Sequence, residues 1–389
     1  MIDSLIISGP TVYAEQGVLK NVNVEISQGH IKAINAFSSQ KKLNFPSSYH
    51  LIPGLIDLHV HGANGKDVMD ANAEALATMS KALAAEGVTG FLATTMTAAP
   101  DHIEKALRAV RAFTLDQQEG ARILGVHLEG PFISPKKVGA QSRDHLLPLD
   151  LNYIHHWQTL ADLKIVTLAP ELPGSEAFIR YLVEQGIIPS IGHTDATFEE
   201  AMAAIDSGCS HVTHLFNAMR GMHQREPGTV SAALLSNQVT TEIIVDGVHV
   251  HPALIQLTLK LKGKDQLILV TDAMRAKCLC DGRYELGGQW VDVKDAIARL
   301  ADGTLAGSTL TMPRALKNSM QYMHCDLATA VKMASENPAK KLKMFDQLGS
   351  ISPEKKANLV VLDEHLNVVL TLIEGQICFE VKEKRAFVE

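Results

Sequence analysis

Two histidines one residue apart, His59 and His61 in GLIDLHVHG (54–62), end an apolar run that reads as a buried strand. Side chains two apart on a strand project to the same face, so both imidazoles can reach one ion. Metal-type ligands recur where four other apolar runs end: Glu129 after ILGVHLEG, His193 after IIPSIGH, His214 after HVTH and Asp272 after LILVTD. A single histidine or aspartate at a strand end is usually just a satisfied polar residue. Six at the same end of five strands call for a shared purpose. Imidazole and carboxylate together suit Zn2+, Fe2+ or Mn2+. An ion with an incompletely filled ligand shell leaves room for water and lowers its pKa toward neutrality, which supplies a nucleophile for hydrolysis.

Such ligands need a scaffold that brings strand ends together. Short β-branched runs alternate with longer amphipathic ones along most of the chain, the signature of repeated β-α units and a parallel sheet. Eight runs qualify as strands: 55–61, 91–95, 123–129, 165–169, 187–192, 210–214, 242–246 and 267–272. Between them lie helical patterns such as NAEALATMSKALAAEG, PDHIEKALRAVRAF, SEAFIRYLVEQG and TFEEAMAAIDSG, several ending in the glycine that favours a helix C-cap. The expected fold class is α/β, a (β/α)8 TIM-like barrel, and the polar residues above fall at strand C-terminal ends, where that fold builds its sites. The flanks break the rhythm. Residues 1–52 and the tail KANLVVLDEHLNVVLTLIEGQICFEV alternate polar and apolar, and neither is long enough for a stable sheet alone. A small β-sandwich formed by both termini (1–52 plus 340–389) is expected, with the barrel at 53–339. Residues 281–309 read as β-hairpins inserted after the eighth strand.

Composition narrows the function. The chain has 389 residues, of which 46% are hydrophobic, enough for a large core. A net charge of −7 with scattered Lys and Arg gives no basic stripe, which argues against nucleic acid as partner. No run of about eighteen apolar residues and no export-type leader is evident, so no membrane partner is expected and the protein is expected to be soluble and cytoplasmic. Five cysteines, an odd number, suggest reduced thiols rather than a disulfide framework. Cys278 and Cys280 form the one close pair, with no second pair to complete a soft-metal site.

HxH after strand one, His after strands five and six, and Asp after strand eight resemble the amidohydrolase superfamily, barrels that activate water on one or two divalent metals. More narrowly, HLEGPF (127–132), GHTDA (192–196), THLFNAM (213–219), REPG (225–228), DGVHVHP (246–252), TDAM (271–274) and GTLAGS (303–308) resemble the N-acetylglucosamine-6-phosphate deacetylase family. The match extends over the whole barrel and includes the flanking sandwich pattern. The resemblance implies deacetylation of N-acetylglucosamine 6-phosphate in amino-sugar catabolism and a homodimer. It also implies a divalent metal, one or two ions per chain, Zn2+ or Fe2+ foremost and Mn2+ or Co2+ as alternatives. Some family members lack the strand-one histidines and hold one ion; this chain keeps His59 and His61, so two ions bridged by Glu129 are expected. An amide nitrogen leaves poorly unless protonated, and Asp272 is the candidate to carry a proton from the attacking water to the amine.

The resemblance also assigns substrate contacts. His249 matches a histidine that touches substrate and polarises the acetyl carbonyl with the metal. Arg225, a planar fork of donors suited to phosphate oxygens, is implied to reach the neighbouring subunit's site. Asn217 and Ala218, which by themselves read as a helix start, match a segment that binds substrate. Ala140 and Gln141, and Leu305, Ala306 and Gly307, match further contact loops that otherwise read as turns. His127 shares the face of Glu129, and a core or supporting role is expected for it. His211, three before His214, should point away from it on an extended strand, and His223 and His251 flank the substrate residues without an assigned role. The nearest rival is an N-acetylgalactosamine-6-phosphate deacetylase. A cyclic amidase would typically bridge its metals with a carboxylated lysine at the end of strand four, yet KIVTLAP carries Lys164 at its beginning. A non-enzymatic scaffold would be expected to have lost part of the ligand set, which is complete here.

Overall fold

In the computed structural model, which describes residues 4–35, 42–381, 383 and 386–388, eight parallel strands follow one another around a barrel in sequence order. They are Leu55–Val60, Val88–Thr95, Arg122–Glu129, Leu163–Leu168, Ile188–Ile191, His211–Val212, Thr240–Ile244 and Leu267–Val270, numbered here one to eight. All eight expected runs are present. Strand six is shorter than expected because His214 takes a φ of 30°, which ends the extended backbone after Val212. The barrel closes where Val60 bridges Ala273, with the Asp272 N–H donating to His59 O and the His61 N–H to Ala273 O, both at 2.9 Å.

Every residue of strands one and two is buried, as expected for parallel strands covered on both faces. The helices that cover them begin at side-chain caps. Asn72 accepts the N–H of Ala75 at the start of Ala73–Ala85, which buries Leu76, Met79 and Leu83. Thr197 and Glu200 form a reciprocal capping box on Phe198–Asp206. Inside the barrel, the layer beneath the strand ends is polar. His127 Nε2 meets Thr167 Oγ1 at 2.7 Å, and the Thr213 hydroxyl lies 2.8 Å from Thr167 Oγ1 and 2.6 Å from Ser190 Oγ. These hydroxyls satisfy one another in a space water would otherwise have to fill.

Both flanks join in a second body of two sheets. One orders strands Ala386–Val388, Lys42–Asn44, Ser4–Ser8, Val24–Ser27 and His30–Ile34; the other orders Gln376–Glu380, Val368–Ile373, Leu359–Leu362, His50–Pro53, Thr11–Ala14 and Gly17–Leu19. Their shared core runs from Leu5 to Leu51 and from Ile351 to Leu372. The expected boundary at residue 340 falls inside a helix, Asn337–Lys341. His50–Pro53 pairs with Leu359–Leu362 and passes through Gly54 straight into strand one. Only glycine fits there, since a Cβ would lie 2.1 Å from Thr89 Oγ1. The expected hairpins after strand eight form a three-stranded antiparallel sheet, Gly282–Leu286, Gln289–Lys294 and Ile297–Arg299.

Lys277, fully buried, lies 2.9 Å from Glu86 Oε2 in a contact set by charge rather than by an aligned hydrogen bond. Glu86 also accepts the Cys278 thiol and the Met312 N–H, so it links the end of Ala73–Ala85 to the segment after strand eight and to helix Met312–Met323. Cys278 is thereby engaged in barrel closure, and among the described residues nothing completes a metal half-site with Cys280. Removing one partner of a buried pair leaves an uncompensated charge, so Lys277→Met should lower unfolding stability by about 3–5 kcal/mol. Urea denaturation should show that loss, and Lys277→Met/Glu86→Gln should recover part of it.

Candidate active site

At the C-terminal end of the barrel, four imidazoles converge on the Glu129 carboxylate. Oε1 lies 2.9 Å from His214 Nε2 and 3.3 Å from both His193 Nε2 and His59 Nε2; Oε2 lies 3.2 Å from His61 Nε2 and accepts the Gln141 amide at 2.6 Å. Asp272 Oδ1 stands 3.4 Å from His59 Nε2 and 3.2 Å from His61 Nε2. The six predicted ligands therefore form one cluster, and all six are buried apart from a partly accessible Asp272 carboxylate.

Backbone geometry turns the side chains inward. His193, His214 and Asp272 have φ values of 46°, 30° and 47°, in the left-handed region that non-glycine residues seldom occupy. Each costs about 1–3 kcal/mol, and such strain gathers at functional sites. Strand parity consequently fails for His211. The expectation that it would point away from His214 rested on an extended chain, whereas both side chains enter the barrel interior: His211 Nε2 meets Glu242 Oε1 at 3.0 Å, and His214 Nε2 meets Glu129 Oε1 at 2.9 Å while its backbone N–H donates to Glu242 Oε2 at 3.1 Å.

The electrostatics follow from burial opposed by neighbours. Burial alone would raise the Glu129 pKa, but the charge of His59 and the hydrogen bonds to His193 and His214 hold it well below the ordinary carboxylate range. Burial would lower His61, yet its bonds to Asp272 and Glu129 raise it to about 9. His127 has no such support: burial, then the nearby His59 charge, pushes it down to about 3. Its Nδ1 faces Leu58 O at 3.0 Å and its Nε2 faces Thr167 Oγ1, so both ring nitrogens are engaged within the barrel.

This donor set fits a divalent cation. Two groups of three, His59–His61–Glu129 and Glu129–His193–His214, each have ligand atoms within 4.8 Å of one another, and Glu129 belongs to both. The ring nitrogens face each other closely, His59 Nε2 to His61 Nε2 at 3.3 Å and His193 Nε2 to His214 Nε2 at 3.1 Å. Paired lone pairs beside a shared carboxylate suit ions that take nitrogen and oxygen ligands.

A cavity of about 370 Å3 opens over the cluster. Ala140, Gln141, Asn217, Ala218, His249, Leu305 and Gly307 line it alongside five of the six predicted ligands, His59 lying beneath them. Ala306 is fully buried and lies outside this lining. Asn217 and Ala218 start no helix; they sit in a turn in which Ala218 has a φ of 48°. Arg225 is exposed at the tip of a turn closed by His223 and Glu226, and does not line the cavity of its own chain. His223 Nδ1 accepts the Arg225 N–H, and His251 caps helix Pro252–Lys262. The residues not expected from the sequence include two charged ones. Arg299, from the inserted sheet, lines the cavity and donates to Gly303 O at 2.7 Å; nothing in AIARLADG distinguishes it. Glu242 lies beneath the ligands, and its signal was available as an acid in the middle of the apolar run TEIIV. Lys164 lies at the opposite end of the barrel, paired with Asp162 at 2.8 Å.

Residues 50–378 match the Amidohydrolase family. The chain is 42% identical to the N-acetylglucosamine-6-phosphate deacetylase of Bacillus subtilis (strain 168) over 392 aligned residues, covering 98% of this chain and 99% of that protein. It is 37% identical to an N-acetylgalactosamine-6-phosphate deacetylase of Escherichia coli O157:H7, covering 93% and 96%. A solved structure of a point variant of N-acetyl-D-glucosamine-6-phosphate deacetylase from Mycobacterium smegmatis, in complex with N-acetyl-D-glucosamine-6-phosphate, superposes with a TM-score of 0.91 at 32% identity, covering 97% of this chain and 99% of that one.

His249 reaches the cavity while its Nδ1 holds Asp246 Oδ2 at 2.7 Å. Burial opposes charge on both, but the bond and mutual attraction raise His249 above its ordinary 6.5 and lower Asp246 below 3.8. The pair's stabilisation is therefore full between those ordinary values. It is lost as pH rises through the elevated histidine pKa, and as pH falls through the depressed aspartate one. Asp246→Asn should move the His249 midpoint downward in a proton NMR titration, because burial and Arg299 then act unopposed by Asp246.

Proposed function

The chain belongs to the amidohydrolase family, and from that premise we propose that it hydrolyses the acetamide of N-acetylglucosamine 6-phosphate to glucosamine 6-phosphate and acetate, a step in amino-sugar catabolism. The observation that carries this reading is the single cavity in which two ligand groups sharing Glu129 meet Asp272, His249 and the 140–141, 217–218 and 305–307 loops. His59, His61, Glu129, His193, His214 and Asp272 would hold one or two divalent ions, of which Zn2+ and Fe2+ suit the donors best, with Mn2+ or Co2+ as alternatives. An ion bound there supplies polarisation of the acetyl carbonyl and a lowered pKa for the attacking water.

The chain's own residues do the rest. Asp272, held as a carboxylate against burial by His59 and His61, takes a proton from water and returns it to the departing nitrogen. His249, whose charged form Asp246 favours, keeps Nδ1 on that carboxylate and leaves Nε2 for the substrate. Gln141 fixes one oxygen of Glu129 while its own carbonyl accepts the Thr97 N–H at 2.7 Å, so the ligand cannot swing away. Leu286 and the 303–305 loop complete the cavity lining. Galactosamine-type substrates differ in one hydroxyl configuration, and the resemblance to the Escherichia coli enzyme makes that epimer the alternative. With Lys164 at the far end of strand four, the cyclic-amidase reading has no support.

A phosphorylated sugar meets a chain of net charge −7, so local cations must receive it. Arg299 serves from the same chain, and Arg225 from a second copy. The turn bearing Arg225 carries exposed Met222, and the nearby helix Pro252–Lys262 exposes Leu254, Leu257 and Leu261 along one face. That apolar stripe suits a homodimer. Cytoplasmic residence accords with five free thiols.

Metal-replete enzyme should release acetate from N-acetylglucosamine 6-phosphate faster than from its C4 epimer in a side-by-side assay. Faster release from the epimer would transfer the assignment to the galactosamine series, and ring opening of dihydroorotate instead would overturn both. Asp272→Asn should fold normally yet lose at least about 10⁴-fold in turnover, since proton transfer and an ion contact go together.

A charge-assisted hydrogen bond is worth ~1.5–3 kcal/mol, so Arg225→Ala should cut kcat/KM about ten- to a hundredfold on the phosphorylated substrate alone. Mixing Arg225→Ala with Asp272→Asn chains should restore activity, because one site of each mixed dimer is then complete. No recovery, with subunit exchange confirmed, would place Arg225 outside the neighbouring site.

A further inference from the structure

Glu242 takes no part in the chemistry above, yet it touches both halves of the ligand set. It stands in the middle of strand seven with no exposed surface, and its carboxylate serves three donors. Oε2 lies 3.0 Å from His59 Nδ1 and accepts the His214 N–H at 3.1 Å, while Oε1 lies 3.0 Å from His211 Nε2. Its ion-pair partners among the described residues are all histidines: His59, His211 and, at 4.0 Å, His127.

A carboxylate can only accept, so Glu242 demands a proton on His59 Nδ1 and leaves Nε2 as the atom that faces Glu129 and Asp272. Among the described residues, no other predicted histidine ligand has its Nδ1 hydrogen-bonded to a carboxylate. His193 Nδ1 meets the Lys137 carbonyl at 2.9 Å, and the Nδ1 atoms of His61 and His214 have no hydrogen-bond partner. Glu242, His59 and His127 also lie close enough to suggest a separate ion, but both His127 nitrogens are already committed to Leu58 and Thr167. The acid therefore acts on the ligands above it rather than as a ligand of its own.

We infer that Glu242 is the positioning residue of the strand-one metal position. It sets the tautomer and rotation of His59, and through the His214 N–H it holds the strand-six ligand in register with strand one. This inference rests on the two-ion reading of the site.

Zinc binding to chelator-stripped protein, measured by competition with a chromophoric chelator, tests it without reference to turnover. Wild type should bind two ions. Glu242→Leu should weaken one of them about ten- to a hundredfold, the usual effect of losing a ligand's hydrogen-bond partner, and the other, whose His214 loses only a backbone contact, by less. Glu242→Gln, which keeps one acceptor oxygen, should recover part of the loss. Nitrogen-15 spectra of histidine-labelled protein should show His59 protonated at Nδ1 in wild type and no longer fixed there in Glu242→Leu. If His59→Ala weakens an ion while Glu242→Leu binds both at wild-type affinity, the inference is overturned and the two-ion reading stands. If His59→Ala also changes nothing, the two-ion reading falls and the inference with it. Should Glu242→Leu fail to fold, Glu242→Asp withdraws the oxygens by one methylene and must weaken the same ion; wild-type affinity there would equally overturn the inference.

Discussion

The Glu129 carboxylate, buried at the mouth of the barrel, holds four imidazoles from strand one and from the turns after strands five and six. A lone buried carboxylate would be costly, and so would four packed imidazoles. Together they compensate one another, and the compensation requires every strand end to arrive at the same place. Closure of the sheet supplies that condition, because the hydrogen bonds joining strands one and eight run between residues 59–61 and 272–273 themselves. Barrel closure and assembly of the site are one event in the fold.

The polar layer beneath follows from the same constraint. A barrel filled only by Val, Ile and Leu at this level would leave the outer nitrogens of the ligating rings facing hydrocarbon. Here His127, His211, Glu242, Thr167, Ser190 and Thr213 carry hydrogen bonds through the interior, at the expense of apolar packing. Asp57 extends the layer, accepting the Thr271 hydroxyl at 2.6 Å just ahead of Asp272. Such a network specifies one arrangement when it is fully satisfied. The two Nδ1 atoms left without partners belong to His61 and His214, residues whose other nitrogen faces the shared carboxylate.

Around this rigid floor the walls are built from loops. The inserted sheet Gly282–Leu286, Gln289–Lys294 and Ile297–Arg299 adds Leu286 and Arg299 to the cavity, and the segment after it adds Leu305 and Gly307. Gln289 donates to Ala140 O at 2.8 Å, joining the insert to the loop that carries Gln141. The terminal sandwich joins strand one directly, which continues from His50–Pro53 by way of Gly54. The clustered side chains thus belong to the floor, and much of the remaining cavity lining to the connections above it.

The sequence by itself determined the eight strands, the terminal sandwich and the six side chains that cluster at the barrel mouth, because each rests on a local signal: an apolar run, a two-residue alternation, or a polar residue at the end of a run. His59 and His61 were legible from parity alone, since strand one reaches Val60. Only the tertiary structure decided the rest. His193, His214 and Asp272 face the cluster through left-handed backbone that no alternation predicts, and the same departure from the strand brings His211 into the interior. Arg299 became a cavity residue through the docking of a hairpin, and Ala306 lies outside the lining because its neighbours, rather than its own side chain, face the space. Glu242 gained its place from three partners at 31, 28 and 183 residues' separation. Periodicity reports which way a side chain points along its own element; which partners it meets depends on how distant elements close on one another.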